Sequence, residues 1–123
     1  MLPDAMHAAG FVGSVRVFSP TEANRKKLAQ DYRARFDLKI ADVGSAEEAV
    51  TGADLVLAAV KSSETVGYGR WLKPGCHVNS VGTARRDQRE IDPETFARSA
   101  SIVVDTKEGV LGEAGDAVAA RVV

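Results

Sequence analysis

Cysteine is nearly absent: Cys76 stands alone among 123 residues. A lone thiol cannot close an internal disulfide, which excludes a disulfide-stapled fold and gives no support to a thiolate metal site. The two histidines, His7 and His77, have no Cys or His neighbour at ligand spacing, which argues against a structural zinc site. Aromatic residues make up only 6% of the chain, a poor basis for stacking single-stranded nucleic acid. An excess of one charge is missing too. Sixteen Lys and Arg against seventeen Asp and Glu leave a net charge of −1, which argues against a duplex-DNA binder and a polybasic membrane surface. The longest uncharged apolar run, Leu55 to Val60, is far too short to cross a bilayer. Met1-Leu2-Pro3-Asp4 has neither the basic segment nor the apolar core of a signal peptide. The expectation is a cytoplasmic protein with no nucleic-acid or membrane partner.

What is present has the size of one domain with a single core. From residue 15 onward, strand and helix signals alternate. Val15 to Phe18 is a short β-rich run, and Ser19-Pro20-Thr21-Glu22 after it predicts a helix start, with Ser19 as N-cap, Pro20 at N1 and Glu22 closing a capping box. The helix that follows places Leu28, Tyr32 and Phe36 on one face, with Arg25, Lys26, Lys27, Arg33 and Arg35 on the solvated side. Leu38 to Ala41 reads as a strand. Ser45-Ala46-Glu47-Glu48 repeats the cap before a short helix. Leu55 to Val60 suits a strand covered on both faces. Lys73-Pro74-Gly75 is a turn, Cys76 to Val81 a strand, and Asp92-Pro93 a capped helix start. Ser101 to Asp105 is the last strand, followed by a glycine-interrupted helix from Lys107 to about Val118. Residues 1–13 read as the end of a helix and a turn. Five strands with helical crossovers predict an α/β fold with a doubly wound parallel sheet.

Such sheets hold nucleotides outside the carboxyl ends of their strands, commonly on a glycine-rich turn. This chain has no G-x-G-x-x-G or G-x-G-x-x-A. Gly10-Phe11-Val12-Gly13 has the wrong spacing and precedes a strand, so it reads as a plain turn.

Several stretches, in order, resemble the ornithine cyclodeaminase/mu-crystallin family. They are Val17-Phe18-Ser19-Pro20-Thr21, Ser45 to Val50 with Gly52 to Val56, Trp71 to Gly82, Arg89-Glu90-Ile91-Asp92, Val103 to Thr106, and Glu113-Ala114-Gly115-Asp116. The block from Trp71 to Gly82 is the most specific. The resemblance implies a Rossmann-like NAD(P)-binding domain, spanning residues 1–123 and lacking the family's first strand and glycine loop. It implies that the substrate and dimerisation domain is absent. It also implies a homodimeric parent that moves hydride between nicotinamide and a small imino or amino acid.

The family pattern directs attention to three strand ends. After the first strand, Ser19, Thr21, Asn24 and Arg25 stand where adenosine ribose is recognised. No acidic residue is there to bind the ribose hydroxyls, so NADP is favoured over NAD. Ala59 and Val60 end the fourth family strand, and Val81, Gly82 and Thr83 end the one after, toward the nicotinamide. Ornithine cyclodeaminases carry a proton-transferring aspartate where Ala84 stands here. Ala84 cannot titrate, so the pattern is closer to mu-crystallin and the imine reductases, and no catalytic residue is assigned. Asp87 reads as a loop carboxylate pairing with a neighbouring arginine. Cys76 and His77 read as structural, and Trp71 as an anchor beneath the following turn.

The leading expectation is therefore the partial nucleotide-binding domain of a reductase, dehydrogenase or cyclodeaminase. A non-catalytic binding module and a truncated reading frame are the alternatives. Without the central strand, the sheet is expected to be unstable or to close over the gap.

Overall fold

A computed structural model describes residue 10, residues 12–81 and residues 85–121, with Leu111 described by its backbone alone. The expected N-terminal helix end, and Gly82, Thr83 and Ala84, lie outside the described residues. The chain forms two compact units, Met1–Ala49 and Val50–Val123.

In the first unit, strand β1 (Ser14–Val17) leads through helix α1 (Glu22–Arg35) to strand β2 (Lys39–Asp42). The two strands pair in parallel from Ser14 opposite Lys39 to Val17 opposite Asp42. The Val43 amide extends the ladder by donating to the Val17 carbonyl at 3.0 Å. Ala29, Ile40 and Val43 form the buried core. The expected apolar stripe of α1 is only partly used. Leu28 is 41% exposed, while Tyr32 and Phe36 stack at 5.5 Å with the Arg35 guanidinium over both rings. Two strands give α1 a narrow floor, and the short side chain of Ala29 occupies it.

Helix α1 also starts later than Ser19 predicts. Its N-cap is Thr21, whose carbonyl accepts from the Asn24 and Arg25 amides while its side chain caps nothing. Glu22 is drawn one turn forward to Lys26 rather than back to a capping amide. The second predicted cap forms as read. Ser45 Oγ accepts from the Glu48 amide at 3.1 Å, opening helix α2 (Ala46–Val50).

In the second unit, strand β3 (Leu55–Ala58) and strand β4 (His77–Ser80) pair in parallel, from Leu55 opposite His77 to Ala58 opposite Ser80. A 3₁₀ turn at Gly69–Trp71 lies in the connection. Helices α3 (Pro93–Ala97), α4 (Lys107–Glu113) and α5 (Gly115–Ala119) follow. Asp92 caps α3 as expected: its Oδ1 accepts from the Thr95 amide and hydroxyl, and from the Gly69 amide at 2.8 Å.

Among the described residues, the strands pair as two two-stranded parallel ladders. Three expectations are corrected here. The strand predicted at Ser101 to Asp105 does not form. Val103 is 92% exposed, and residues 101–105 pair with no strand among the described residues. β3 ends at Ala58, and Leu57 is exposed, so its faces are not both covered. The helix from Lys107 divides at Ala114, where the extended backbone admits a second short helix.

That division lets Asp116 reach the segment ahead of α3. Its carboxylate accepts from the Glu90 amide at 3.0 and 3.1 Å and from the Ile91 amide at 3.2 Å. Burial pushes its pKa above the ordinary aspartate value, against the lowering effect of these two amides. Gly115 makes the approach possible. A Cβ there would meet the Gln88 carbonyl oxygen, Arg89 Nη1 at 2.5 Å and the Arg85 carbonyl oxygen at 2.8 Å.

Two predictions follow from this contact. Gly115→Ala overpacks a backbone contact and lowers stability by about 1–3 kcal/mol, whereas Gly112→Ala, in open space on α4, gains up to about 1 kcal/mol of helix propensity. Thermal unfolding of both variants checks the contrast. For Asp116, the raised folded pKa means that the folded state holds its proton to higher pH than the unfolded chain. Its contribution to stability is fully present on the acid side of the ordinary aspartate value and declines as pH rises through the folded value. Across that window, the midpoint of the wild-type chain falls relative to that of Asp116→Asn. A pH-independent difference between the two contradicts this assignment.

Candidate functional site

Parallel ladders bring the C-terminal ends of paired strands to the same edge, the edge at which open α/β sheets receive ligands. In the first unit, β1 runs out into Phe18 and Ser19, and α1 begins at Glu22. The α1 side chain that turns back to this corner is Arg25. Its Nη1 donates to the Ser19 carbonyl at 3.4 Å, and its Nε is buried without a hydrogen-bond partner among the described residues. Ser19 is half-buried, and Thr21 and Asn24 are exposed. Thus the sequence-selected group Ser19, Thr21 and Arg25 shares one corner, with a guanidinium that has donor capacity left over. Among the described residues, Arg25 forms no ion pair, though its charge adds to the pull on the Glu22 carboxyl. Glu22, the nearest acid in sequence, is engaged by Lys26, which holds its carboxyl below the usual range.

In the second unit, the last ladder bond runs from the Val81 amide to the Ala58 carbonyl at 3.1 Å. Beyond it, Ala59 is exposed, Val60 is half-buried and Val81 is 73% exposed. These three candidates therefore stand at one edge of one sheet. Sequence reading missed what holds that edge. Glu90, fully buried, accepts from the Val60 amide through Oε1 at 2.5 Å and from the Ser80 hydroxyl through Oε2. Its place in the family-like block Arg89 to Asp92 was the available signal. A charged residue between Arg89 and Ile91 gives no hint of burial by itself.

Other sequence assignments can be placed. Cys76 and His77 lie at the opposite, N-terminal end of β4, and burial pushes the Cys76 thiol up, away from thiolate chemistry. Asp87 forms a two-bond pair with exposed Arg85 at 3.0 and 3.1 Å. Trp71 packs edge-on against Tyr68 at 4.8 Å, with Arg70 over both rings. Among the described residues, no group of His, Cys, Asp and Glu could hold a metal ion, and no helix is long and apolar enough to cross a membrane. A cleft of about 860 Å³ runs along β4 beside residues 101–105, but it includes neither Ala59 nor Val60.

Comparison with known proteins gives this geometry a setting. The model of the ornithine cyclodeaminase/mu-crystallin family matches residues 4–121. Ketimine reductase mu-crystallin of Macropus fuliginosus is 36% identical over 104 residues, covering 85% of this chain and 32% of that protein. Among solved structures, the Δ1-pyrroline-2-carboxylate reductase of Thermococcus litoralis, in complex with NADH and L-proline, superposes with a TM-score of 0.91. It is 36% identical, and the match covers 97% of this chain and 36% of that one. An archaeal alanine dehydrogenase dimer with bound NAD gives a TM-score of 0.87 at 25% identity, over 98% of this chain and 36% of that one. The chain thus spans about a third of the length of these relatives. The fold is α/β with parallel strands, like the nucleotide-binding dehydrogenases it superposes on, and the closer likeness to reductases than to cyclodeaminases is borne out. With the family model running from residue 4 to residue 121, the chain belongs to the ornithine cyclodeaminase/mu-crystallin family.

Proposed function

We propose that residues 1–123 form part of a nicotinamide-dinucleotide-binding domain whose parent is an imine reductase or amino-acid dehydrogenase. The observation that carries this reading is the superposition of 97% of the chain on a reductase holding NADH and L-proline. The substrate of such a parent is a small imino or amino acid, and the parent is a homodimer. When bound, the dinucleotide supplies a hydride to the imine carbon, while a proton from another group reaches the nitrogen.

This chain's own residues bind and orient. Ser19, Thr21 and Arg25 take the adenosine ribose in the first unit. Ala59, Val60, Val81, Gly82 and Thr83 are the candidates for the nicotinamide side, although Gly82 and Thr83 lie outside the described residues. Ala84 has no proton to give, so the chain's contribution is cofactor binding rather than acid–base chemistry.

Within this reading, NADP is preferred over NAD. The Arg25 guanidinium beside Ser19 and the lack of an acid among Ser19, Pro20 and Thr21 suit a 2′-phosphate. Fluorescence titration of the chain tests both levels. Saturable binding is expected, tighter for NADPH than for NADH. Arg25→Gln removes a charge-assisted contact and weakens NADPH about tenfold or more, with NADH changed little. No saturable binding of either dinucleotide overturns the reading, and equal affinities overturn the NADP preference alone.

A further inference from the structure

Val60 lies beyond the last ladder bond of β3, where the amide would ordinarily turn to water or to another strand. Here a carboxylate from thirty residues further along the chain takes the place of that partner. Glu90 Oε1 accepts from the Val60 amide at 2.5 Å, and Oε2 accepts from Ser80 on the neighbouring strand. One fully buried side chain thus clamps the ends of β3 and β4.

Glu90 is itself held through its backbone. Its amide donates to Asp116, and its carbonyl accepts from the Val66 and Gly67 amides at 3.1 and 2.9 Å. Its flanking residues are tied as well: Arg89 donates to the Ser62 carbonyl, and Ile91 to Asp116. The clamp therefore has little freedom to swing with the strand ends.

Its geometric effect follows from peptide planarity. The Val60 amide and the Ala59 carbonyl belong to one trans peptide, so they point in opposite directions. Turning the Val60 N–H inward to Glu90 turns the Ala59 carbonyl away from it, at an exposed residue on the ligand edge. A buried carboxylate is an expensive brace, since desolvation opposes it and an apolar side chain of similar size would fill the space. Fixing the direction of a hydrogen-bond acceptor is something an apolar side chain cannot do.

We propose that Glu90 is a positioning residue: it locks the Ala59–Val60 peptide so that the Ala59 carbonyl stands as an acceptor for a hydroxyl or amide donor of a bound dinucleotide. This rests on the cofactor reading above, but the locked peptide can be observed without any ligand.

The experiment uses the 123-residue chain with Glu90→Ala, Glu90→Gln and Ser80→Ala. Amide hydrogen exchange is read at Val60, with Val56 and Asn79 within the ladder as references. Glu90→Ala is expected to speed exchange at Val60 by about a hundredfold as its hydrogen bond opens, with both references nearly unchanged. Glu90→Gln keeps an oxygen for Val60 and a donor for Ser80, and restores slow exchange. Ser80→Ala leaves the carboxylate tethered on one side and gives an intermediate rate. It carries the test if Glu90→Ala does not fold.

NADPH titration of the same variants reads the consequence. Glu90→Ala weakens binding about tenfold, the equivalent of one lost charge-assisted arrangement, and Glu90→Gln stays within about threefold of wild type. Faster exchange at Val60, Val56 and Asn79 together marks a merely structural residue and overturns the proposal. So does unchanged Val60 exchange, or unchanged NADPH affinity in a folded Glu90→Ala chain. A wild-type chain that binds no NADPH overturns the cofactor reading instead, while the Val60 rate still decides whether Glu90 locks the peptide.

Discussion

The Asp116 carboxylate accepts hydrogen bonds from two consecutive backbone amides, and Glu90, the owner of the first of them, spends its own carboxylate on two strand ends. Much of the second unit depends on this relay. Among its described residues, Ile91 and Ala117 are the buried apolar ones, beside buried Glu90, Asp92, Thr95 and Asp116. The centre of the unit is consequently polar, and directional bonds set its geometry where most domains rely on apolar packing. A polar centre of this kind tolerates little rearrangement, because each group left without its partner costs about 1–3 kcal/mol. The helix break at Ala114 and the bare Cα of Gly115 make sense as conditions for bringing Asp116 into place.

The first unit is built differently. Its buried residues are Ala29, Ile40 and Val43, and its polar groups work at the periphery. Arg33 reaches across to the Ile40 carbonyl at 2.7 Å, and Arg16 to the Glu48 carbonyl at 2.9 Å. Arginines thus fasten α1 and β1 to neighbouring backbone. Arg25 differs in keeping a buried nitrogen without a hydrogen-bond partner among the described residues. Both units nevertheless follow one rule of parallel strands: the ladder ends where the side chains of interest begin.

Local signals were legible wherever a residue acts on its own neighbourhood. Asp92-Pro93 and Ser45 cap the helices they were expected to cap, and β1 to β4 sit within about two residues of their predicted positions. The signals failed where a distant partner decides the outcome. Ser19 looked like a cap until Glu22 found Lys26. Ile102 to Val104 has strand composition, but composition cannot supply a neighbouring strand. Of the candidate site, Ser19, Ala59, Val60 and Val81 stand just past strand ends, with Thr21 and Arg25 at the start of the helix that follows β1. Glu90 escaped notice because its importance comes from partners ten and thirty residues away.

The exposure of Val103 has a consequence for how this polypeptide behaves in solution. Ile102-Val103-Val104 is β-branched, uncharged and free of proline, it pairs with no strand among the described residues, and Val103 is 92% exposed. Such a tract is a template for intermolecular cross-β pairing, held back chiefly by the charge of Asp105 at its edge. Self-association of the chain should therefore rise with concentration and with salt, which screens that single gatekeeper charge.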